Sequence, residues 1–315
     1  MVLSVLLGAG ILWWMYRGFD FSRMYSILEH GMDWGFMMLS MVFGVTAQVF
    51  RGLRWKQSLE PIGEHPRVST CVHAVFLSYA SSLLIPRVGE VTRCGVLNRY
   101  DKVSFAKSLG TVVTERIIDS LLILVVVALV FISQLGVFTS FFSKTGTNLG
   151  HFFSQFTVTG YVVTAICLVI TGFFLYWGWK KLSSVIHFRK IVDDIVAGIR
   201  SVGSVQRKWL FLTYTLGIWV SYFLHFYITF FCFDFTEDLG LMTALVAFVV
   251  GSIAVIVPTP NGLGPWHFAV KTIFVLYGVA AVNAETFVLI VHTLQTALIP
   301  VLGVFSLICL SLRKS

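Results

Sequence analysis

Charged side chains are scarce in this chain. Asp, Glu, Lys and Arg make up 12% of its 315 residues, while hydrophobic residues make up 57%. Soluble domains carry about 25% charged residues, so this composition excludes an ordinary soluble globular protein. It predicts an all-α, multi-pass membrane protein, because helices of about 20 apolar residues cross the hydrocarbon core of a bilayer.

Sequence signatures of metal, redox and nucleotide chemistry are also missing. The five cysteines are scattered and form no CxxC pair, which argues against a disulfide framework and a zinc site. No HExxH, nucleotide-binding fingerprint or motif-supported Ser/His/Asp arrangement occurs. We therefore expect neither a cofactor nor a metal. His73, His225 and His292 lie in apolar runs and are expected to form hydrogen bonds between helices.

The net charge of +8 reflects 23 Lys and Arg residues against 15 Asp and Glu residues. The excess lies in short loops beside apolar segments, with no basic tail and no nucleic-acid motif. Basic cytoplasmic loops explain this distribution better than nucleic-acid binding, so we expect no nucleic-acid partner.

Nine apolar segments are suited to helices in a bilayer. They lie near 1–16, 32–50, 68–86, 107–133, 157–179, 209–233, 240–257, 265–280 and 284–311. The first has no preceding basic residues and no small-residue cleavage site, which predicts a retained span rather than a signal peptide. The segments 240–257 and 265–280 are marginal in length for a crossing.

The distribution of Lys and Arg predicts the orientation of the chain. The loops 51–67 and 180–208 and the C-terminus are basic and are predicted to be cytoplasmic, as is the N-terminus. The segments 134–156 and 234–239 carry little positive charge and are predicted to lie outside.

These assignments agree only if two segments turn back inside the membrane. The segment 68–106 would enter from the cytoplasm and turn at Pro86–Gly89, and 240–280 would enter from outside and turn at Pro258–Gly264. We therefore predict one integral membrane domain over 1–315, with about six full spans and two oppositely oriented re-entrant hairpins in an inverted repeat. An amphipathic helix at 187–207 is predicted to lie on the inner leaflet.

The first turn, PRVGEVTR, places Glu90 between Arg87 and Arg93. A helix that begins near Gly89 would present free N–H groups to an anion, and arginines can bind a phosphate through two hydrogen bonds. The alternative is a basic turn at the cytoplasmic face of the membrane.

The second cluster, TERIIDS, lies in the first half of the segment 107–133. Glu115 and Asp119 are four residues apart and share a helix face, with Arg116 beside them. Because charges are costly in lipid, all three are expected to point into the protein, toward Arg87 or Arg93. A purely structural network is the alternative.

The third motif, VPTPNGLGPWHF, combines polar side chains with a glycine-rich turn and a helix restarting at Pro265. Paired with the first turn, it predicts a site for an oxyanion or a lipid headgroup. The residues expected to contribute are Thr259, Asn261, Gly262, Gly264 and His267.

The motifs RGLRW, SSLLIPRVGEVTR, TERIID and PTPNGLG resemble, in order, those of the lysylphosphatidylglycerol synthase transmembrane-region family. The resemblance implies a polytopic fold in the inner (cytoplasmic) membrane and translocation of a lipid between leaflets. Many relatives have an acidic residue near the position of His267. The residues of family type are Pro86, Arg87, Gly89, Glu90, Arg93, Glu115, Arg116, Asp119, Pro258, Gly262 and Gly264.

The resemblance favours a translocase for a lipid or lipid-linked carrier that holds an anionic headgroup between the two hairpin tips. One alternative is a membrane enzyme acting on a lipid phosphate, with Glu90, Glu115 or Asp119 as acid or base. Another is a non-transporting partner of an envelope-synthesis enzyme, and a homo-oligomer is compatible with each. In bifunctional relatives a separate soluble domain makes lysylphosphatidylglycerol, and we do not expect that reaction from these 315 residues alone.

Overall fold

The computed structural model describes residues 2–85, 88–134, 200–257 and 259–312, together with positions 193 and 196. Helices account for its regular structure, and no strand occurs in these ranges. The α-helices are α1 (Val2–Tyr16), α2 (Phe21–His30), α3 (Trp34–Leu59), α4 (Val68–Leu84), α5 (Gly89–Asp101), α6 (Phe105–Ser133), α7 (Lys208–Tyr227), α8 (Gly240–Ala254), α9 (Pro265–Leu276) and α10 (Ala281–Ser311). Short 3-10 helices cover Glu60–Ile62, Ser201–Ser204, Ile228–Cys232, Glu237–Leu239 and Pro260–Gly262.

Five helical segments in the described ranges are long and apolar enough to cross a membrane: Trp34–Ile62, Phe105–Ser133, Lys208–Cys232, Glu237–Ala254 and Ala281–Ser311. The chain is therefore a multi-pass, all-α membrane protein, as its composition predicts. The predicted span 1–16 forms a helix of only 15 residues, about 22 Å long at 1.5 Å per residue. The predicted span 157–179 and most of the predicted amphipathic helix 187–207 lie outside the described residues.

The predicted loop 51–67 is wrong in its first half, because α3 continues as a helix to Leu59. Arg51 and Arg54 are 3% and 0% exposed, although charge counting assigned them to a cytoplasmic loop. A distant carboxylate, Asp119, pairs with both arginines. Pairing with the Asp119 carboxylate lowers the cost of burying these two guanidinium groups among apolar helices.

The first helical hairpin consists of α4 and α5, which pack along each other. Its close packing depends on Gly89, where an added Cβ would lie 2.2 Å from the carbonyl oxygen of Ser78. At the open end of the hairpin, which is the end away from its turn, the side chain of Asp101 accepts hydrogen bonds from the backbone N–H and the guanidinium of Arg67, at 2.8 and 2.7 Å.

The second helical hairpin consists of α8 and α9, joined by a turn around Pro260–Gly262. Gly262 and Gly264 have φ values of 73° and 93°, a left-handed region that favours glycine. The turn packs against α1, where a Cβ on Gly264 would come within 3.0 Å of the carbonyl oxygen of Gly8. Pro265 begins α9, as the sequence predicts.

Aromatic packing fixes the second hairpin against the rest of the bundle. The rings of Phe274 in α9 and Phe287 in α10 have centroids 4.7 Å apart, and Phe230 lies 5.1 Å from Phe274. Lys271 of α9 also forms an ion pair with Glu285 of α10. These contacts pack α9 against α10, and aromatic pairs add to the stability provided by buried area.

The two hairpins enter the bundle from opposite ends. The open end of α4 and α5 lies near Glu60–Ile62, where the Lys107 ammonium reaches the carbonyl oxygen of Ile62 at 3.3 Å. The open end of α8 and α9 lies beside Glu237–Leu239 and the start of α10. Helix α3 connects these ends, and the two tips meet where α4 contacts Pro260–Gly262.

Helix α2 has no counterpart among the apolar segments found in the sequence. Its ten residues, FSRMYSILEH, are too polar and too few for a span. The side chains of Met24, Ile27 and Leu28 pack against the core on one side, while Phe21 and Tyr25 are exposed. It is therefore a short amphipathic helix between α1 and α3.

Candidate functional site

A buried ion network connects α3, α5 and α6. The carboxylate of Asp119 accepts hydrogen bonds from Arg51 and Arg54, each at 2.8 Å. The carboxylate of Glu115 lies 3.5 Å from Arg54 Nε and accepts a hydrogen bond from Arg93 at 2.9 Å. Glu115 and Asp119 share one face of α6 because they are four residues apart, so one helix supplies both acids.

The partners of Asp119 differ from the sequence prediction, which directed this residue toward Arg87 or Arg93. Arg51 and Arg54 instead come from α3, and sequence reasoning missed them as site residues. The spacing of RGLRW could have identified them, because two arginines three residues apart share a face of an apolar helix. Arg87, Pro86 and Pro258 lie outside the described residues.

Arg93 belongs to the interior of this network. Its side chain is 1% exposed, pairs with Glu115, and lies with its guanidinium 4.7 Å from the centre of the Trp55 ring. Trp55 is itself fixed by a hydrogen bond of 2.9 Å that its indole N–H donates to Thr111. The structure therefore does not bring Arg93 to an open surface where a ligand could bind.

Glu90 connects the buried network to a cavity. One oxygen of its carboxylate lies 3.2 Å from Arg93, and the other lies 2.6 Å from Arg116. The Arg116 side chain is 45% exposed, although the sequence predicted that it would point inward with Glu115 and Asp119. Arg116 is therefore the arginine of this network that a ligand can reach.

The network carries an excess of positive charge. Among the described residues, four arginines are linked to three carboxylates through the ion pairs given above. The formal charges of these residues therefore sum to +1, and Arg116 is the most exposed arginine among them. Such an imbalance favours an anion at this position.

The cavity lies between the tips of the two hairpins and has a volume of about 660 Å³. We call it the tip cavity. Its charged residues are Glu90 and Arg116, its hydroxyl groups come from Ser78, Tyr79, Ser82, Ser120 and Thr259, and its apolar residues are Leu83, Val255 and Ile256. Asn261 and Gly262 complete the lining. The volume is within the range of small-molecule sites, about 300–1,000 Å³.

Two polar atoms of lining residues have no hydrogen-bond partner in the described part of the chain. They are Thr259 Oγ1 and Glu90 Oε2, and both are buried. Buried polar groups are normally hydrogen-bonded. Glu90 Oε2 nevertheless has the Arg93 guanidinium 3.2 Å away as its ion-pair partner, so Thr259 Oγ1 is the lining atom that is left without a polar partner.

Gly89 does not present a free N–H group to this cavity. Its backbone N–H donates a hydrogen bond of 3.2 Å to the hydroxyl of Ser82. The residue is buried against α4. Its position in the site is structural, because it allows α5 to begin close to the serines that line the cavity.

Asn261 and His267 have different positions in the second hairpin. Asn261 has φ 49°, lines the tip cavity and donates a hydrogen bond of 2.8 Å to the Thr296 hydroxyl. His267 is 1% exposed, and its Nδ1 accepts a hydrogen bond of 3.4 Å from the backbone N–H of Gly264. His267 thus caps the start of α9 and does not line the tip cavity.

The other histidines within apolar runs make the hydrogen bonds between helices that the sequence predicts. The ring of His73 lies 3.1 Å from the Ser306 hydroxyl. His225 Nδ1 lies 2.6 Å from the carbonyl oxygen of Ser40, and His292 Nε2 lies 3.1 Å from that of Asn261. Within the described ranges, no group of three His, Cys, Asp or Glu residues could hold a metal ion.

Comparison with known proteins identifies one related family. A family model described as "Lysylphosphatidylglycerol synthase TM region" matches residues 1–303. No curated protein and no solved structure gives a significant match. The matched range contains both hairpins, the ion network and the tip cavity, and the match confirms the resemblance seen in the sequence motifs.

Proposed function

This chain belongs to the lysylphosphatidylglycerol synthase TM region family, and on that premise we propose that it translocates a membrane lipid or lipid-linked carrier between leaflets. The family indicates a membrane lipid-related function. The observation that carries the proposal is the tip cavity, which lies between two helical hairpins that enter from opposite ends of the bundle. A headgroup held there can be reached from either side when one hairpin moves.

In this proposal the two hairpins are re-entrant in the membrane. Irregular backbone at membrane depth is tolerated where it lines a cavity, and the turn around Pro260–Gly262 lines the tip cavity. Contact between Ser201–Ser204 and Glu60–Ile62 supports this topology. Both stretches lie within segments, 51–67 and 180–208, that charge counting assigns to the cytoplasm.

Arg116 is the proposed contact for an anionic headgroup. A phosphate in the tip cavity can replace Glu90 as the partner of Arg116 and form two parallel hydrogen bonds with the guanidinium. Glu90 then keeps its contact with Arg93. Ser78, Ser82 and Thr259 also line the cavity, and in this proposal their hydroxyls donate further hydrogen bonds to phosphate oxygens.

The hydrophobic tail of the lipid would remain outside the cavity. Leu84, Ile85 and Ile256 at the hairpin tips are 79%, 45% and 68% exposed. Leu83, Val255 and Ile256 line the tip cavity itself. A headgroup can therefore enter the polar cavity while its acyl or prenyl chain stays along an apolar surface.

The enzymatic alternative has less support from the geometry. Glu115 and Asp119 are buried in ion pairs with arginines and do not line the tip cavity. Glu90 lines it, but two arginines hold its carboxylate. A general base must lie within hydrogen-bond distance of the proton that it abstracts. Glu115 and Asp119 do not line the tip cavity, so in this arrangement neither reaches a headgroup held there.

Translocation by protein reconstituted in vesicles tests the proposal, with fluorescently labelled phosphatidylglycerol and a reagent that quenches only the outer leaflet. We expect Arg116→Ala to slow translocation at least about tenfold, which corresponds to a loss of about 1.4 kcal/mol in the interaction with the headgroup. Arg116→Lys should restore only part of the rate, because an ammonium lacks the bidentate geometry of a guanidinium.

Arg99→Ala is the matched control, since Arg99 is an exposed arginine of α5 that does not line the tip cavity. This variant should translocate lipid at the same rate as the unaltered protein. Equal translocation by Arg116→Ala and the unaltered protein would refute the proposed site. Release of a cleaved headgroup during the assay would favour an enzyme over a translocase.

A further inference from the structure

Glu90 is the only Asp or Glu residue that lines the tip cavity in the described part of the chain. Its side chain is 28% exposed, and its Oε1 lies 2.6 Å from the guanidinium of Arg116. Glu115 and Asp119 belong to the same ion network but do not line the cavity. A headgroup in the tip cavity therefore meets the negative charge of Glu90 next to the arginine that is proposed to bind its phosphate.

The position of Glu90 is fixed from two sides. It follows Gly89 in the first turn of α5, which packs so closely against α4 that a Cβ on Gly89 would lie 2.2 Å from the carbonyl oxygen of Ser78. The second carboxylate oxygen of Glu90, Oε2, is buried and lies 3.2 Å from Arg93. Arg93 is itself 1% exposed and donates a hydrogen bond of 2.9 Å to Glu115. Glu90 is therefore held at the wall of the cavity even without Arg116.

Phosphate binding at Arg116 changes the surroundings of one oxygen of Glu90. In the proposed function the phosphate replaces Glu90 as the partner of Arg116, so Oε1 loses the guanidinium that now faces it. Because Oε2 stays beside Arg93, Oε1 remains in place, next to a phosphate that is also negatively charged. A carboxylate oxygen accepts hydrogen bonds and donates none, and an unmade hydrogen bond costs more for a charged group than for a neutral one. A donor on the headgroup restores the lost contact.

The group attached to the phosphate decides whether such a donor is present. Glycerol headgroups carry a hydroxyl, and ethanolamine headgroups carry an ammonium, two carbon atoms away from a phosphate oxygen. Both donors are close enough to reach a carboxylate that lies next to the phosphate. The choline headgroup has a quaternary nitrogen without N–H at the same position, and a phosphate methyl ester has no donor.

We propose that Glu90 is a specificity-determining residue of the tip cavity, which selects phospholipid headgroups that carry a hydrogen-bond donor, a hydroxyl or an ammonium, beside the phosphate. This inference rests on the proposed function and specifies its substrate class. Arg116 binds the phosphate that all phospholipids share, and Glu90 distinguishes among the groups attached to that phosphate. The preference comes from a hydrogen bond to an ionised acceptor, which is stronger than one between neutral groups.

Calorimetric binding of short-chain lipids to the whole protein in a maltoside detergent tests the inference. Phosphatidylethanolamine is compared with phosphatidylcholine, and phosphatidylglycerol with phosphatidylmethanol. The two lipids of each pair have the same net charge, and only the first carries a donor on its headgroup. We expect the donor-bearing lipid to bind about tenfold more tightly in each pair. The size of the preference in the two pairs shows whether the ammonium or the hydroxyl is the better donor.

Glu90→Gln separates selection by the carboxylate from a general loss of structure. The amide keeps the size of the side chain but removes its charge, so the preference should fall below about threefold in each pair. Phosphatidylmethanol should bind at least as tightly as it does to the unaltered protein, because no carboxylate then competes for Arg116. A variant that had lost its structure would bind every lipid more weakly. Glu60→Gln is the matched control, since the Glu60 side chain is 45% exposed and does not line the tip cavity.

Equal binding within both pairs by the unaltered protein would overturn the inference, as would a preference that survives in Glu90→Gln. Arg116→Ala tests the proposed function separately, because it should weaken the binding of all four lipids. If Arg116→Ala leaves all four affinities unchanged, the phosphate site of the proposed function fails. If it weakens all of them while the lipids of each pair bind equally, the role of Glu90 fails and the phosphate site stands.

Discussion

At the scale of single residues, Glu90 is the point where a rigid ion network meets an open cavity. Its carboxylate contacts the buried Arg93 on one side and the half-exposed Arg116 on the other. A bound phosphate would compete with Glu90 for Arg116 alone, because Arg93 is also held by Glu115. The buried part of the network can therefore remain intact while the cavity-facing ion pair opens and closes.

Asp119 is expected to be the most sensitive residue of the network for stability. Asp119→Asn would leave Arg51 and Arg54 without the carboxylate that now binds both. Breaking a buried pair on one side costs about 3–5 kcal/mol, so the free energy of unfolding in detergent should fall by about that amount. Titration with a denaturing detergent measures it.

An exposed ion pair provides the control for Asp119→Asn. Glu60 pairs with Lys56 at the surface, with its side chain 45% exposed. Exposed pairs contribute about 0–1 kcal/mol, so Glu60→Gln should change the free energy of unfolding by less than about 1 kcal/mol. Equal losses in the two variants would contradict the role of Asp119 as the centre of a buried network.

At the scale of elements, the first hairpin depends on how closely α5 approaches α4. The start of α5 packs against two serines of α4, and Gly89 has no side chain to keep them apart. These serines, Ser78 and Ser82, also line the tip cavity. Packing of the hairpin and the shape of the cavity are therefore determined by the same contact.

Two glycines of α5 allow a matched test of this contact. An added Cβ on Gly89 would lie 2.4 Å from the Ser82 hydroxyl, whereas one on Gly95 would meet nothing within 4 Å. We expect Gly89→Ala to lower the thermal unfolding midpoint and to slow translocation, because overpacking costs about 1–3 kcal/mol. Gly95→Ala should leave translocation unchanged and stabilise the helix by up to about 1 kcal/mol. Normal translocation by Gly89→Ala would show that close packing of α5 against α4 is not required for activity.

At the scale of the whole molecule, the arrangement of the two hairpins has consequences for access. Helix α3 begins next to Cys232, whose carbonyl oxygen accepts a hydrogen bond from the Asp33 N–H at 2.9 Å, and ends at Glu60–Ile62. Its 26 residues correspond to about 39 Å, enough to separate the open ends of the hairpins by a bilayer. Each hairpin thus approaches the tip cavity from its own end of α3, as the proposed re-entrant topology requires.

Labelling of single cysteines in intact cells tests this arrangement. In a background with the native cysteines replaced by alanine, His65→Cys and Lys102→Cys flank the first hairpin, while Asp234→Cys and Ala280→Cys flank the second. An impermeant thiol reagent should label the second pair from outside, and the first pair only after the cells are opened. Labelling of both pairs from the same side would disprove the opposed hairpins.

The sequence by itself determined the class of this protein and the position of its breaks. Hydropathy and helical periodicity depend on neighbouring residues, so the long apolar helices α3, α6, α7 and α10 were predicted near their observed positions. Proline and glycine mark the ends of α4 and α8 because they act on the local backbone. The shared face of Glu115 and Asp119 likewise follows from their spacing.

Only the tertiary structure decided which charges are paired and which face a cavity. Arg51 lies 68 positions from Asp119 in the chain, and their contact depends on how α3 rotates and packs against α6. Charge counting treats every arginine as a loop residue, so it placed Arg51 and Arg54 in the cytoplasm. The burial of Arg93 and the position of Arg116 at the tip cavity likewise depend on how the helices that carry them pack. No local pattern specifies the rotation of one packed helix relative to another.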